Sequence, residues 1–171
     1  MAVLAIVTSS PPGVEGGHLV IARSLVQAAR DAGHEAQLVI TADYGFGRQT
    51  RSYIANYLHD VSHVDGRPVD QVISLRYPSY AVRHRRHVCW LNHAMREYYD
   101  QWPAFAASIS WRNRVKESVR RVLTHAADRY FLKHHVTRVL AQSRTIERRL
   151  AHDFGIRADV LFPPPPQRRY R

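Results

Sequence analysis

The chain has 171 residues, 45% of them hydrophobic, with a formal net charge of +11 and one cysteine. That length holds one good core and argues a single globular domain. It excludes an internal disulfide, and no apolar run approaches the roughly 20 residues that cross a bilayer.

The first thirty-odd residues read strand, loop, helix. Ala2 to Val7 is a continuous apolar run, short enough for a strand buried on both faces. Thr8-Ser9-Ser10-Pro11-Pro12-Gly13 is expected to break it, since two prolines remove donors and fix φ. A helix should open straight after Gly16-Gly17. Its apolar face is Leu19, Ala22, Leu25, Val26 and Ala29, and Gly33 should end it. Glu35 to Thr41 reads as a second strand, which makes a βαβ unit with parallel strands. Glycines at a helix N-terminus let a ligand approach unpaired N–H groups that favour an anion. Gly16 and Gly17 therefore either cradle a phosphate or diphosphate or only shape a tight turn. Neither a G-x-G-x-x-G fingerprint nor a Walker loop is present.

Asp43 to Gly47 reads as a loop. Gln49 to Leu58 reads as a helix with Tyr53, Ile54, Tyr57 and Leu58 on its apolar face, and Val64 to Pro68 as a turn. Val69 to Leu75 is a third strand, with Arg76 to Tyr80 leaving its C-terminal end. His87 to Leu91 is a fourth, enclosing Cys89 as a small buried residue, with Asn92 to Tyr99 leaving its end. A long helix is expected from about Arg112 to Phe131, with Val115, Val119, Val122, Leu123, Ala126 and Tyr130 as its core stripe. Thr137 to Gln142 is a fifth strand. Ser143 can cap a helix over residues 144–154 that Gly155 ends, and Ala158 to Phe162 is a sixth strand. The tetraproline at 163–166 then reads as a stiff linker rather than a tail.

Strand–helix alternation argues an α/β chain with a Rossmann-like, doubly wound, mainly parallel sheet over residues 1–162. Residues 163–171 form a Pro-rich linker and basic tail leading to a further domain. The charge is uneven. Residues 1–60 sum to −1, so the basic excess lies downstream, in residues 83–87, 112–149 and 168–171. Such a field attracts phosphates of some kind: nucleotide, nucleic acid or lipid surface.

Pro11-Pro12-x-x-x-Gly16-Gly17 followed by a helix and Gly33-His34-Glu35 resembles the opening of family 4 glycosyltransferases of the GT-B fold. Asp70 to Tyr80 resembles the segment before their central loop in bacterial members. Val88-Cys89-Trp90-Leu91-Asn92-His93, with Arg96 and Tyr98-Tyr99, resembles their strand ending in a donor-site histidine. Ala127-Asp128-Arg129 and Val139 to Leu150 are similar to their strand–Ser–helix signature, and Val160 to Pro165 to the crossing between their two domains. The resemblance covers nearly the whole chain but only the first, acceptor-side half of the family's architecture. The nucleotide-sugar domain, with its Arg/Lys pair and Glu-x7-Glu region, would lie after Pro166.

The resemblance implies retaining transfer of a sugar from a nucleotide-sugar to an acceptor hydroxyl of a sugar, lipid or natural product, without a metal or other cofactor. It places the catalytic histidine at His93 and the diphosphate at Gly16 and Gly17. Weaker acceptor contacts are Glu15, Arg76, Tyr77, Arg96 and Tyr98. It also implies a missing C-terminal domain or partner chain, and no turnover by these residues alone.

Each residue also has a plainer reading. His93 can instead satisfy loop backbone, Glu15 and Asp43 can be solvated loop carboxylates, and Tyr77, Tyr80, Tyr98 and Tyr99 can be ordinary packing. Arg83 to Arg86 either hold an anionic acceptor or are a solvated loop. The alternative function is a non-catalytic basic module that binds anionic membrane, nucleic acid or a partner chain. Arg112, Arg114, Lys116, Arg120 and Arg121 beside an apolar stripe suit a membrane surface. No nucleic-acid module is legible, so no nucleic-acid partner is expected. With no basic n-region and too short an apolar run for a signal peptide, the expected place is the cytoplasm, including the inner membrane face.

Overall fold

The computed structural model describes residues 1–11 and 13–163. The first half runs β1 (Val3–Ser10), α1 (Gly17–Asp31), β2 (Glu35–Ala42) and α2 (Gln49–Leu58). A two-stranded hairpin of β3 (His63–Val64) and β4 (Arg67–Pro68) follows, then β5 (Gln71–Ser74) and β6 (His87–Leu91). The second half holds α3 (Trp102–Ser108), α4 (Trp111–His134), β7 (Arg138–Ala141), α5 (Arg144–Arg149) and β8 (Asp159–Val160). Single 3₁₀ turns lie at Ser79–Ala81 and Arg96–Tyr98. Six strands form one sheet in the order β2-β1-β5-β6-β7-β8, and every neighbouring pair is parallel. This is the Rossmann-like, doubly wound α/β architecture.

The order has one reversal. From β1 the chain steps one way to β2, then returns past β1 to build β5 through β8 on the other side. Right-handed crossovers then put α1 on one face and the later helices on the other. The packing follows that rule. Ala22 and Val26 of α1 pack with Leu4, Ile6 and Trp90, whereas Leu132, Ile146 and Phe154 pack with Cys89, Leu91 and Val139.

Strand β1 is covered on both faces, Leu4 and Ile6 on the α1 side and Ala5 and Val7 on the other. Burying Ile6 or Val7 completely contributes about 1.5–3 kcal/mol each. The strand also runs through Thr8, Ser9 and Ser10, where a break was expected. It has ladder partners as far as Ser10 opposite Ala42, and its hydroxyls are used inside. Ser9 Oγ donates to Asn56 Oδ1 (3.2 Å) and lies 2.7 Å from Thr41 Oγ1. Helix α1 ends as expected. Gly33 takes φ +83°, its N–H reaches Arg30 O, and the next N–H reaches Ala29 O, which closes a Schellman motif.

Two helices turn a different face inward from the one expected. In α2 the buried residues are Gln49, Ser52, Tyr53 and Asn56, while Ile54 and Leu58 are exposed. In α4 the expected core stripe faces outward: Val115, Val119, Val122, Leu123 and Tyr130 are all exposed. The buried residues are Glu117, Thr124, Asp128 and Leu132. The cause is Asp128. Its carboxylate accepts hydrogen bonds from the hydroxyls of Tyr53, Tyr80 and Tyr99, the last at 2.7 Å. One turn or more earlier, Glu117 accepts from Tyr98 (2.6 Å) and from Arg120 (2.6 Å). These contacts decide which side of α4 meets the sheet.

The shorter strands β5, β7 and β8 trim the expected ends by one or two residues, as sheet pairing stops where partners stop. Ser143 caps α5 by accepting from Ile146 N (3.3 Å), as expected. The helix then widens into a π turn over Leu150–Phe154 before Gly155 ends it. Helix α3 was not foreseen. Apart from Pro163, the expected linker and basic tail lie outside the described residues.

Burial raises the Asp128 carboxyl to about 6, against the pull of its three tyrosine donors. The folded state therefore binds this proton more readily than the unfolded chain does. The stability from it is present at low pH and is lost as pH rises through about 6. Between pH 7 and pH 5 it amounts to about 1 kcal/mol. His87 acts in the opposite sense, because burial pushes its imidazole down to about 4. The test is thus variant against parent at each pH. In urea unfolding, Asp128→Asn should fall behind the parent by about 1 kcal/mol more at pH 5 than at pH 7. An equal gap at both would sink this account.

Candidate functional site

The reversal of strand order lies between β1 and β5, and open α/β sheets bind ligands beyond the strand C-termini at such a point. Four segments approach there: the loop into α1, the loop after β2, and the exits of β5 and β6. The two exits are tied together, since Asn92 N donates to Leu75 O (2.9 Å) and Tyr77 N to His93 O (3.3 Å). The loop before α1 is held by Ser10, whose hydroxyl donates to Val14 O (3.0 Å).

Gly16 is the N-cap of α1 in an extended conformation, with no side chain to cap the helix. A β-carbon there would meet the His18 ring at 3.0 Å, so Gly16 lets that ring lie against the backbone. A β-carbon on Gly17 would meet nothing within 4 Å. Its N–H and that of His18 thus stand at an open helix end, where partial positive charge gathers. His18 Nε2 is buried and has no hydrogen-bond partner among the described residues.

Arg76 and His93 lie beside it. Arg76 is mostly buried, its guanidinium 3.6 Å from the buried Asp43 carboxylate, and its Nε donates to Tyr77 O (3.2 Å). Asp43 also accepts from Gly45 N (3.0 Å), so it is a fixed internal counter-charge rather than a solvated loop carboxylate. His93 is half-buried, with Nδ1 donating to Ala94 O (3.0 Å). That bond leaves Nε2 of the neutral ring as an acceptor. A cavity of about 360 Å³ opens here, lined among others by Asp43, Phe46, Arg76, His93, Arg96 and Gln101.

The other expected site residues are placed less favourably. Glu15 is exposed and forms a two-bond pair with Arg23 (2.8 and 2.9 Å), away from the cavity lining. Tyr77 lines the cavity but is almost fully buried, with its ring edge-on to Tyr53 at 5.3 Å. Tyr98 is fully buried, and its hydroxyl is used by Glu117 and by Gln49 Nε2 (3.0 Å). Arg96 does line the cavity, with its guanidinium on Asp100 (3.0 Å). Gly16, Gly17 and His18 do not line it, although His18 lies near enough to feel the charge of Arg76. His18 was not singled out in the sequence. The one available signal was its position directly after Gly16-Gly17. Among the described residues no three His, Cys, Asp or Glu side chains are grouped to hold a metal, and no helix is long and apolar enough to cross a membrane.

Both imidazoles at this edge are held toward the neutral form. Burial, then the positive charge of Arg76, holds His18 below its ordinary range. Burial also lowers His93, with Arg76 and Arg96 adding to it. Such a site offers backbone N–H donors, one buried guanidinium and two imidazoles that gain a proton readily once negative charge arrives.

Comparison with family models, with curated proteins and with solved structures finds no match for this chain.

Arg76→Gln removes the positive charge that both rings share. It should raise the titration midpoints of both His18 and His93, read from their imidazole resonances in NMR. Midpoints that stay put in the variant would show the rings to be electrostatically independent of Arg76.

Proposed function

We propose that this chain forms the acceptor-side wall of a site where a sugar passes from a nucleotide-sugar to an acceptor hydroxyl with retention. The reading rests on the sequence resemblance to family 4 glycosyltransferases. The observation that carries it is that Arg76 and His93 line one cavity at the strand ends, with His18 at the α1 N-terminus within electrostatic reach of Arg76. Helix ends and arginine suit a leaving diphosphate, whose developing charge must be met by donors already in place. Gly17 and His18 supply the N–H groups, and Arg76 the buried cation. His93 Nε2 accepts from a hydroxyl of the transferred sugar, near the oxocarbenium-like centre of the transition state. In this reading a second domain or partner chain holds the nucleotide, so residues 1–171 alone give no turnover. The acceptor enters by the cavity beside Arg96.

The test uses an anion first and a rate second. Inorganic pyrophosphate, or UDP, GDP and TDP in turn, should move the Gly17 and His18 amide resonances and raise the His18 midpoint. Gly17→Val should abolish those shifts while melting at the parental temperature. Its side chain enters open space, and its φ lies outside the left-handed region. In an assembly competent for transfer, His93→Ala should lower turnover more than it weakens diphosphate binding. Unmoved amides at millimolar pyrophosphate, or normal anion binding by Gly17→Val, would dispose of the anion-cradle assignment.

A further inference from the structure

The outward face of α4 has no partner within the chain. Trp111, Val115, Val119, Val122, Leu123 and Tyr130 are between 52% and 69% exposed. At 3.6 residues per turn they occupy about 120° of the helix circumference, centred opposite Glu117 and Asp128. Along the axis the stripe runs roughly 28 Å. The helix cannot roll to bury it. Glu117 and Asp128 are held inside by tyrosine hydroxyls, and Arg121 Nε and His125 Nε2 both donate to Tyr98 O, at 2.7 and 2.8 Å.

The charge around the stripe has one sign. Both acidic residues of α4, Glu117 and Asp128, point inward and are buried. Arg112, Lys116 and Lys133 are exposed and have no carboxylate within 4 Å among the described residues. The groove between α2 and α4, about 570 Å³, continues the same surface. It is lined by Arg48, Arg51 and Arg120 together with the exposed Ile54 and Leu123. Aromatic residues stand near both ends of the stripe, Trp111 and Tyr130, with the Arg112 guanidinium 5.4 Å from the Trp111 ring.

We infer that the outer face of α4 docks flat on an anionic membrane surface, with its apolar side chains in the headgroup–acyl boundary and Arg112, Lys116 and Lys133 reaching up to lipid phosphates. The combination of a one-sided apolar face, end aromatics and charge of one sign beside and among the apolar residues suits such a surface. A second copy of the chain is the poorer occupant. Face-to-face pairing of α4 would set Arg112, Lys116 and Lys133 against the same groups of the other copy, which like-charge repulsion penalises. Because apolar residues insert, the attachment is not electrostatic alone. Salt removes the phosphate contribution and leaves the apolar one. This inference stands on α4 and its flanks and does not depend on the chemistry at the sheet edge.

The experiment is flotation of the full chain with phosphatidylcholine vesicles, with and without about 30% phosphatidylglycerol. The anionic vesicles should carry the protein upward at least tenfold more efficiently. A measurable part should persist at about 0.5 M salt, where surface charges are screened within a few ångströms. The double variant Val119→Asp/Leu123→Asp changes only outward side chains, so it should melt as the parent does and lose at least tenfold in vesicle binding. Emission from Trp111, isolated by comparing the parent with Trp111→Phe, should be quenched by brominated acyl chains. Equal binding to neutral and anionic vesicles, or none to either, overturns the inference. So does a double variant that binds like the parent, or a concentration-dependent dimer in light scattering that the double variant abolishes.

Discussion

One buried carboxylate holds four parts of the molecule together. Asp128 on α4 accepts hydrogen bonds from Tyr53 on α2, from Tyr80 in the turn after β5 and from Tyr99 beyond β6. Each bond to a charged acceptor is worth about 1.5–3 kcal/mol net, and an unpaired buried carboxylate would cost more than that. The three tyrosines are therefore what makes the buried acid tolerable, and the acid is what gathers them. The connections that carry Arg76 and His93 run through the same cluster, because Tyr80 and Tyr99 lie four and six residues beyond them. The rim of the sheet inherits its rigidity from this interior knot.

Where local chemistry decides, the chain was readable. The α1 stripe, the Gly33 stop and the Ser143 cap act within a few residues of themselves, and the structure places each as its chemistry requires. The parallel sheet followed from apolar runs separated by helix-length segments. What failed in α4 was an assumption inside the periodicity argument, namely that the apolar side of an amphipathic helix meets the core. Periodicity finds the stripe but not the direction it faces. That direction was set by Asp128 and tyrosines 48 and 75 residues away in the chain, contacts no local window contains.

The candidate site divides along the same line. Gly16, Gly17, Arg76 and His93 sit at ends of elements, and the sheet brings the ends to one edge, so their neighbourhood was foreseeable from strand order. Tyr98 follows the packing reading of its sequence, whereas the burial of Asp43 was not foreseeable. Each looks like a loop residue, and each is buried because a distant partner takes its polar atom: Glu117 for the tyrosine, Arg76 for the aspartate. His18 was overlooked because its importance comes from the company of Arg76 and His93, both more than 50 residues away.

The polar attachment of α4 also has a calorimetric consequence. A helix that docks through apolar area leaves a large positive heat-capacity change when it detaches, whereas exposing polar groups lowers the heat capacity. Over much of its length α4 is held by tyrosine–carboxylate and side chain–carbonyl bonds, and its apolar contacts, from Ala127, Phe131 and Leu132, gather at its C-terminal end. Its release from the sheet should therefore be opposed by enthalpy over the whole working temperature range, with a smaller heat-capacity change than an all-apolar interface of the same area would give. In native-state hydrogen exchange such an opening appears as a unit with a shallow dependence on denaturant, distinct from the steep global unfolding of the β1-centred sheet.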